Sequence, residues 1–153
     1  MDRVYGIVPA SSGTFTFLWA LSVVIVAILI AVIALFISFI YQANHLTFAL
    51  TAEGLRISPG VYTRTIPRSD INTAGVKVLD LNLDKEYALK SKSNGSNLPG
   101  FSSGWFKLQN KEKALVFITD KSRIVYIPTN KDYSVLLSVR EAEEFADQLQ
   151  NWK

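Results

Sequence analysis

The sequence predicts a mainly β domain with one carboxy-terminal α-helix, built as an antiparallel barrel or sandwich of seven or eight strands and preceded by one transmembrane helix. Three patterns support this fold class. A long apolar run without charges occupies the first third of the chain, and short alternating segments separated by turn residues follow it. The final segment then returns to a helical period.

The apolar run covers residues 17–41 and contains no Asp, Glu, Lys or Arg. As a helix rising ~1.5 Å per residue it would reach about 37 Å, more than the ~30 Å hydrocarbon core of a bilayer. Trp19 and Tyr41 lie near its two ends, so we predict that their amphipathic rings are membrane-interface anchors. A cleaved signal peptide would need a shorter run and a small-residue cleavage site, which the sequence FIYQANH lacks. The run therefore predicts a retained, single-pass anchor in the cell membrane.

Charge bears on partner class and location. The net charge is +3 at pH 7 with both signs interspersed, which is typical of a solvated domain and argues against a nucleic-acid partner. Arg3 precedes the span and Arg56, Arg64 and Arg68 follow it, so the positive-inside bias slightly favours a cytoplasmic domain. The absence of cysteine is compatible with either compartment.

The predicted organisation is an amino-terminal flank at 1–16, the span at 17–41, a linker at 42–45 and a domain at 46–153. Short β-rich segments are predicted at residues 45–51, 55–58, 61–66, 69–83, 105–109, 114–119, 123–128 and 133–138. Polar connections of three to four residues join the last four, which predicts antiparallel hairpins. The Ser-, Gly- and Asn-rich stretch 85–103 predicts a long surface loop between two sheets.

An amphipathic helix is predicted at about residues 139–152. Its apolar stripe consists of Ala142, Phe145, Leu149 and Trp152. Ser138 and Glu141 match the S-x-x-E capping box, so Ser138 is the predicted N-cap. We expect this helix to cover the core of the barrel or sandwich.

Four stretches carry a likeness to a known family: FALTAEGLRIS, IPRSDI, LPGFSSGWFKL and YSVLLSVREAEEFADQL. With them, residues 46–149 resemble the pleckstrin-homology (PH) superfold, and the chain is similar to bacterial PH-domain proteins that carry membrane segments ahead of the domain. The resemblance implies the fold more than a function, because many members have no assigned role. PH domains that bind phosphoinositides cluster Lys and Arg around the first hairpin, whereas TAEGLR supplies only Glu53 and Arg56.

The sequence GFSSG at residues 100–104 matches G-x-S-x-G, in which Ser102 would be a nucleophile. In α/β-hydrolases the histidine follows the serine, but the single histidine here, His45, precedes it. A Ser–Lys pair using Lys107 or Lys92 remains open, so a serine hydrolase is kept as an alternative. With no Cys, one His and no phosphate-binding glycine loop, we predict no metal site and no cofactor.

These observations predict a non-enzymatic, membrane-anchored interaction module that docks a protein partner or self-associates at the membrane surface. The alternative within this class is a domain that senses anionic lipid. Lys90, Lys92, Phe101 and Trp105 are the candidate partner or lipid contacts, since aromatics beside loops anchor partners and lysines attract anionic headgroups. The same lysines also suit a solvated face that protects a strand edge.

Overall fold

The computed structural model describes residues 5–9, 11–60 and 62–152, which leaves Arg3 outside the described residues. The chain divides into two compact units, Met1–Tyr41 and Gln42–Lys153. The first is dominated by helix α1, which extends over Ser12–His45 and so continues through the predicted linker.

Within α1, the segment Gly13–Tyr41 is long and apolar enough to cross a membrane, and it is the one such helix among the described residues. Trp19 and Tyr41 lie near the ends of this segment and are 76% and 57% exposed. Their positions suit rings at the two headgroup levels, and the anchoring role stays a prediction.

Nine strands follow α1 in the described part of the domain. They are β1 Thr47–Thr51, β2 Gly54–Ser58, β3 Arg64–Pro67, β4 Lys77–Leu79, β5 Leu89–Leu98, β6 Phe101–Leu108, β7 Lys113–Ile118, β8 Ile124–Pro128 and β9 Ser134–Leu137. β1, β2 and β3 form one antiparallel sheet, and the other six form a second sheet in the order β4-β8-β9-β7-β6-β5. Helix α2, Ala142–Gln150, ends the fold. The predicted class, mainly β with a carboxy-terminal helix, is confirmed.

The predicted loop over residues 85–103 is wrong, because most of it is strand β5 in a long hairpin with β6. The ladder extends from Leu89 opposite Leu108 to Leu98 opposite Phe101, with two register shifts near its start. β5 is an edge strand whose side chains are mostly exposed, so it lacks the apolar alternation by which strands are recognised. Backbone pairing with β6 holds it in place.

Two glycines allow this hairpin to pair closely. Gly95 lies opposite Gly104, with φ angles of +151° and +112°. A Cβ atom on Gly104 would lie 2.4 Å from the carbonyl oxygen of Asn94, so only glycine fits. In GFSSG, Gly104 therefore serves backbone geometry.

The long strand predicted at 69–83 is also wrong in extent. Two 3-10 helices, Arg68–Asp70 and Thr73–Gly75, occupy its first half, and only β4 is strand. Backbone hydrogen bonds close these turns, from the Ile71 N–H to the Arg68 carbonyl and from the Val76 N–H to the Thr73 carbonyl, and the turns replace the predicted strand.

A third correction concerns the order of strands in the large sheet. β9 lies between β7 and β8, pairing parallel with β7 and antiparallel with β8. The predicted hairpin between β7 and β8 is therefore wrong, although their connection is short. That connection passes over the end of β9.

Ser138 holds this crossing connection. Its Oγ accepts hydrogen bonds from the backbone N–H groups of Thr119 and Asp120, both at 3.1 Å, and donates to the Asp120 carbonyl at 2.9 Å. Ser138 is thus not the N-cap of α2, which begins four residues later at Ala142 with Glu141 in the N-cap position. The capping-box pattern is used to close a turn between strands instead.

The central strands of the large sheet are buried on both faces. Alternate residues of β7 enter two different cores, with Leu115 and Phe117 in one and Val116 in the other. The first core lies against the small sheet and α2, and the second is covered in part by Leu79 and Leu81. Because both faces are covered, β7, β8 and β9 are almost continuously buried.

Candidate functional site

The structure separates the four predicted contact residues into three places. Lys90 and Lys92 lie on the exposed edge strand β5, where they suit edge protection as well as lipid contact. Phe101 begins β6 at the tip of the hairpin, and Trp105 lies further along the same strand. Both aromatic side chains are half-buried.

Trp105 is enclosed by groups of its own domain. The Arg64 guanidinium carbon lies 5.1 Å and the Lys113 ammonium 4.5 Å from the centre of its ring, and Tyr133 packs edge-on at 5.1 Å. Lys107 pairs with Lys113 across β6 and β7, which adds a third cation to this part of the domain. No described carboxylate forms an ion pair with these three cations. The arrangement is a basic patch built on an aromatic ring.

GFSSG forms part of a pocket of about 330 Å³ at the tip of the β5–β6 hairpin. Its lining residues are Asn97, Leu98, Pro99, Gly100, Phe101, Ser102, Ile118, Thr119 and Lys121. Ser102 is 4% exposed, and its hydroxyl donates to the Asn97 side-chain oxygen at 2.7 Å. A neutral amide oxygen accepts a hydrogen bond but cannot act as a general base. The contacts of Ser102 therefore support a structural role for the hydroxyl.

A second concavity lies between β1 and α2, and sequence reasoning missed it. This β1–α2 groove, about 490 Å³, is lined by Phe48, Val139, Glu141, Glu144, Phe145 and Gln148. The three apolar side chains form its floor, and the two exposed carboxylates with the Gln148 amide form its rim.

The acidic rim of this groove, but not the groove itself, has a signal in the sequence. Glu141, Glu144 and Gln148 recur at spacings of three and four, so they share one face of α2 beside the apolar stripe. We expected this helix to cover the core. Its apolar side does so through Phe145 and Leu149, while its adjacent face carries the acidic rim.

Away from these two pockets, a cluster of hydrogen-bonded polar side chains stabilises the fold. The Tyr126 hydroxyl donates to the Glu112 carboxylate oxygens at 2.9 and 3.1 Å, and the Lys77 ammonium donates to the Tyr87 hydroxyl at 2.7 Å. Burial first, and then the Glu112 hydrogen bond, raise the pKa of Tyr126 well above its ordinary value. This cluster stabilises a neutral tyrosine beside the second core.

One ion pair joins α2 to the large sheet. The Arg123 guanidinium donates to the Glu143 carboxylate, and this hydrogen bond lowers the pKa of Glu143. The described residues contain no group of three or more His, Cys, Asp or Glu that could hold a metal ion.

No curated protein and no solved structure matches the chain. A family model described as "Bacterial PH domain" matches residues 46–152, which include both sheets and α2. The chain therefore belongs to the bacterial PH domain family.

Proposed function

We propose that this protein is a single-pass, membrane-anchored, non-catalytic module whose PH-like domain docks a protein partner at the membrane surface. The observation that carries the proposal is the β1–α2 groove, with its apolar floor and acidic rim. The apolar segment Gly13–Tyr41 supports the anchor, since it meets the length and composition needed to cross a bilayer. The domain would then meet its partners within a short distance of the lipid.

Three features favour docking over catalysis. PH domains generally mediate protein or lipid interactions, and Ser102 is held by an amide instead of a base. The groove combines an apolar centre with a polar rim, which is the usual anatomy of a protein interface. Its two carboxylates, Glu141 and Glu144, select for a partner that brings positive charge.

Photo-crosslinking in native membranes tests the proposal. A photoreactive amino acid at Gln148, in the groove, should give a reproducible protein adduct that the same residue at exposed Asn82 does not give. A distinct protein in the adduct identifies a partner, and a second copy of the chain indicates self-association. Equal or absent adducts from the two positions would remove the support for a docking groove.

A second candidate function, anionic-lipid binding, is favoured by the basic patch around Trp105. Arg64, Lys107 and Lys113 have no described carboxylate partner, and each cation near a charged surface contributes up to about 1 kcal/mol. Binding of residues 42–153 to phosphatidylserine vesicles should then exceed binding to phosphatidylcholine vesicles and fall with salt. Equal binding to the two vesicle types would exclude this candidate.

The side of the membrane can be tested directly, because the sequence contains no cysteine. An Asn82→Cys variant should resist a membrane-impermeant thiol reagent in intact cells and react after lysis if the domain is cytoplasmic. Labelling in intact cells would place the domain on the outer side.

A further inference from the structure

We propose that β1 is a strand-pairing edge: an extended segment of the partner adds to β1, places apolar side chains in the β1–α2 groove and sets Lys or Arg beside Glu141 and Glu144. This inference rests on the proposed function, since it names the partner chemistry of the same groove.

β1 is an edge strand of the small sheet. β1 and β2 are joined by a two-residue turn closed by the pair Thr51–Gly54, and in such hairpins the closing pair is hydrogen-bonded. Because bonded and non-bonded pairs alternate, the N–H and C=O groups of Phe48 and Leu50 point away from β2. β1 has one neighbour in its sheet, β2, among the described strands. Phe48 and Leu50 thus present the donors and acceptors that a further strand needs.

The other three sheet edges are β3, β4 and β5, and each of them is protected. β3 carries Arg64 at its start and Pro67 at its end, and β4 is only three residues long. β5 carries Lys90 and Lys92 and has two register shifts. Charged side chains, proline, bulges and short length are the features by which proteins protect an edge against unwanted pairing.

β1 has none of these protections. Its sequence, TFALT, is uncharged, contains no proline and pairs with β2 in an unbroken register. A five-residue edge of this kind is an open template, which a protein retains where pairing is part of its function.

The β1–α2 groove lies beside this edge. Phe48 is a β1 residue and also part of the groove floor, with Val139 and Phe145. In an added strand, alternate side chains point to the same face, so every second residue of the segment would reach this floor. Backbone pairing would supply affinity, and the floor would supply selection for apolar side chains.

Charge decides which occupant is favoured. Glu141 and Glu144 are exposed on the rim, and no described cation lines the groove. A second copy of this chain that paired through β1 would bring the same carboxylates to the same place, and like charges repel. An anionic lipid surface is disfavoured for the same reason. A heterologous segment that alternates apolar residues with Lys or Arg is complementary in both respects.

The experiment selects peptides on the full chain in lipid nanodiscs. A random twelve-residue peptide library is panned against nanodiscs with and without the protein, and an enriched peptide is synthesised for affinity measurement. We expect enriched sequences to alternate apolar and basic residues. Methylating every second backbone nitrogen, in the register facing β1, should weaken binding at least tenfold, while methylation in the other register should weaken it much less.

A matched pair of charge reversals tests the rim. Glu141→Lys with Glu144→Lys should weaken the enriched peptide at least tenfold, whereas Glu86→Lys with Asp132→Lys should change its affinity less than twofold. Both pairs alter the net charge equally, and Glu86 and Asp132 are exposed outside the groove. Circular dichroism melting of each variant shows that the fold is kept.

Three results would overturn the inference: no peptide enriched over empty nanodiscs, enriched peptides without Lys or Arg, or affinity insensitive to methylation in either register. These outcomes are distinguishable from failure of the proposed function. A partner crosslinked from Gln148 together with any of them would leave docking in place and remove strand pairing. Loss of the crosslink itself would remove docking.

Discussion

Ser138 provides a direct test of how the sequence S-x-x-E is used in this fold. Its hydroxyl makes three hydrogen bonds to the turn at Thr119 and Asp120. At a net ~0.5–1.5 kcal/mol each, and with a turn that water can reach, their loss in Ser138→Ala should lower the free energy of unfolding by about 2 kcal/mol. With a urea m-value of about 2 kcal/mol per M, the unfolding midpoint should fall by about 1 M.

The assay is urea unfolding of the full chain in detergent micelles, followed by tryptophan fluorescence, in which Trp105 and Trp152 report on the domain and Trp19 lies in α1. Ser122→Ala is the matched control, since its hydroxyl also bonds within this turn, to Asp120, but is exposed. We expect this control to cost less than about 0.5 kcal/mol.

A glycine substitution separates the turn role of Ser138 from the N-cap role. At a helix N-cap, Ser→Gly costs only a few tenths of a kcal/mol. In the crossing connection, Ser138→Gly removes the same three hydrogen bonds as Ser138→Ala and should cost at least as much. A Ser138→Ala variant within about 0.5 kcal/mol of wild type, or a Ser138→Gly variant much more stable than Ser138→Ala, would refute the reasoning.

Three further predictions concern other parts of the domain. Gly104→Ala should lower the melting temperature far more than Gly100→Ala, because a Cβ at 104 would lie 2.4 Å from a carbonyl oxygen. A Cβ at 100, where φ is +78°, meets nothing within 4 Å and costs only about 1–2 kcal/mol of backbone strain. Equal melting temperatures of the two variants would contradict the hairpin geometry. Because the folded pKa of Tyr126 lies above its unfolded value of 10.0, the stability that Tyr126 adds is complete below pH 10 and is lost as pH rises through the folded pKa. Near pH 10 to 11, Tyr126→Phe should therefore leave the tyrosinate absorbance of the folded protein unchanged. In denaturant, the same substitution should reduce that absorbance. Because Arg123 holds the pKa of Glu143 below 4.5, the stability from this ion pair is present above pH 4.5 and is lost as pH falls through the folded pKa. Carboxyl NMR titration should show a higher Glu143 pKa in Arg123→Ala than in wild type. An unchanged Glu143 pKa would contradict the ion pair.

The sequence predicts those elements whose burial leaves a periodic pattern. The apolar run within α1 and the alternation in β1 each have one dominant environment, so composition and period identify them. The connections β6–β7 and β8–β9 form hairpins as predicted, because neighbouring strands pair through their short polar turns.

The sequence does not predict strand β5 or the position of β9 in the sheet, for two different physical reasons. β5 is polar on both faces, so its sequence has no alternation of apolar and polar side chains that would predict a strand. The hydrogen bonds to β6 hold β5 in place. β9 looks like any buried strand, and its insertion between β7 and β8 depends on contacts between segments distant in sequence. Short connections favour direct neighbours, and that preference gives the wrong order here.

The candidate site was partly predictable. Phe101, a predicted contact, lines a pocket together with Ser102, whereas the ring of Trp105 packs against Arg64 and Lys113 of its own domain. The sequence shows that Trp105 is aromatic and follows a polar stretch. It does not show which cationic side chains pack against the Trp105 ring in the folded domain. The β1–α2 groove was missed because it arises between two elements that are far apart in the chain.

The central place of β9 has a consequence for synthesis. β9 leaves the ribosome after every other strand of its sheet, yet it supplies the contact that joins β7 to β8. Until residues 134–137 emerge, the nascent sheet consists of two separate pieces with apolar inner edges. A chain that stops before β9 would therefore expose those edges to proteases and chaperones.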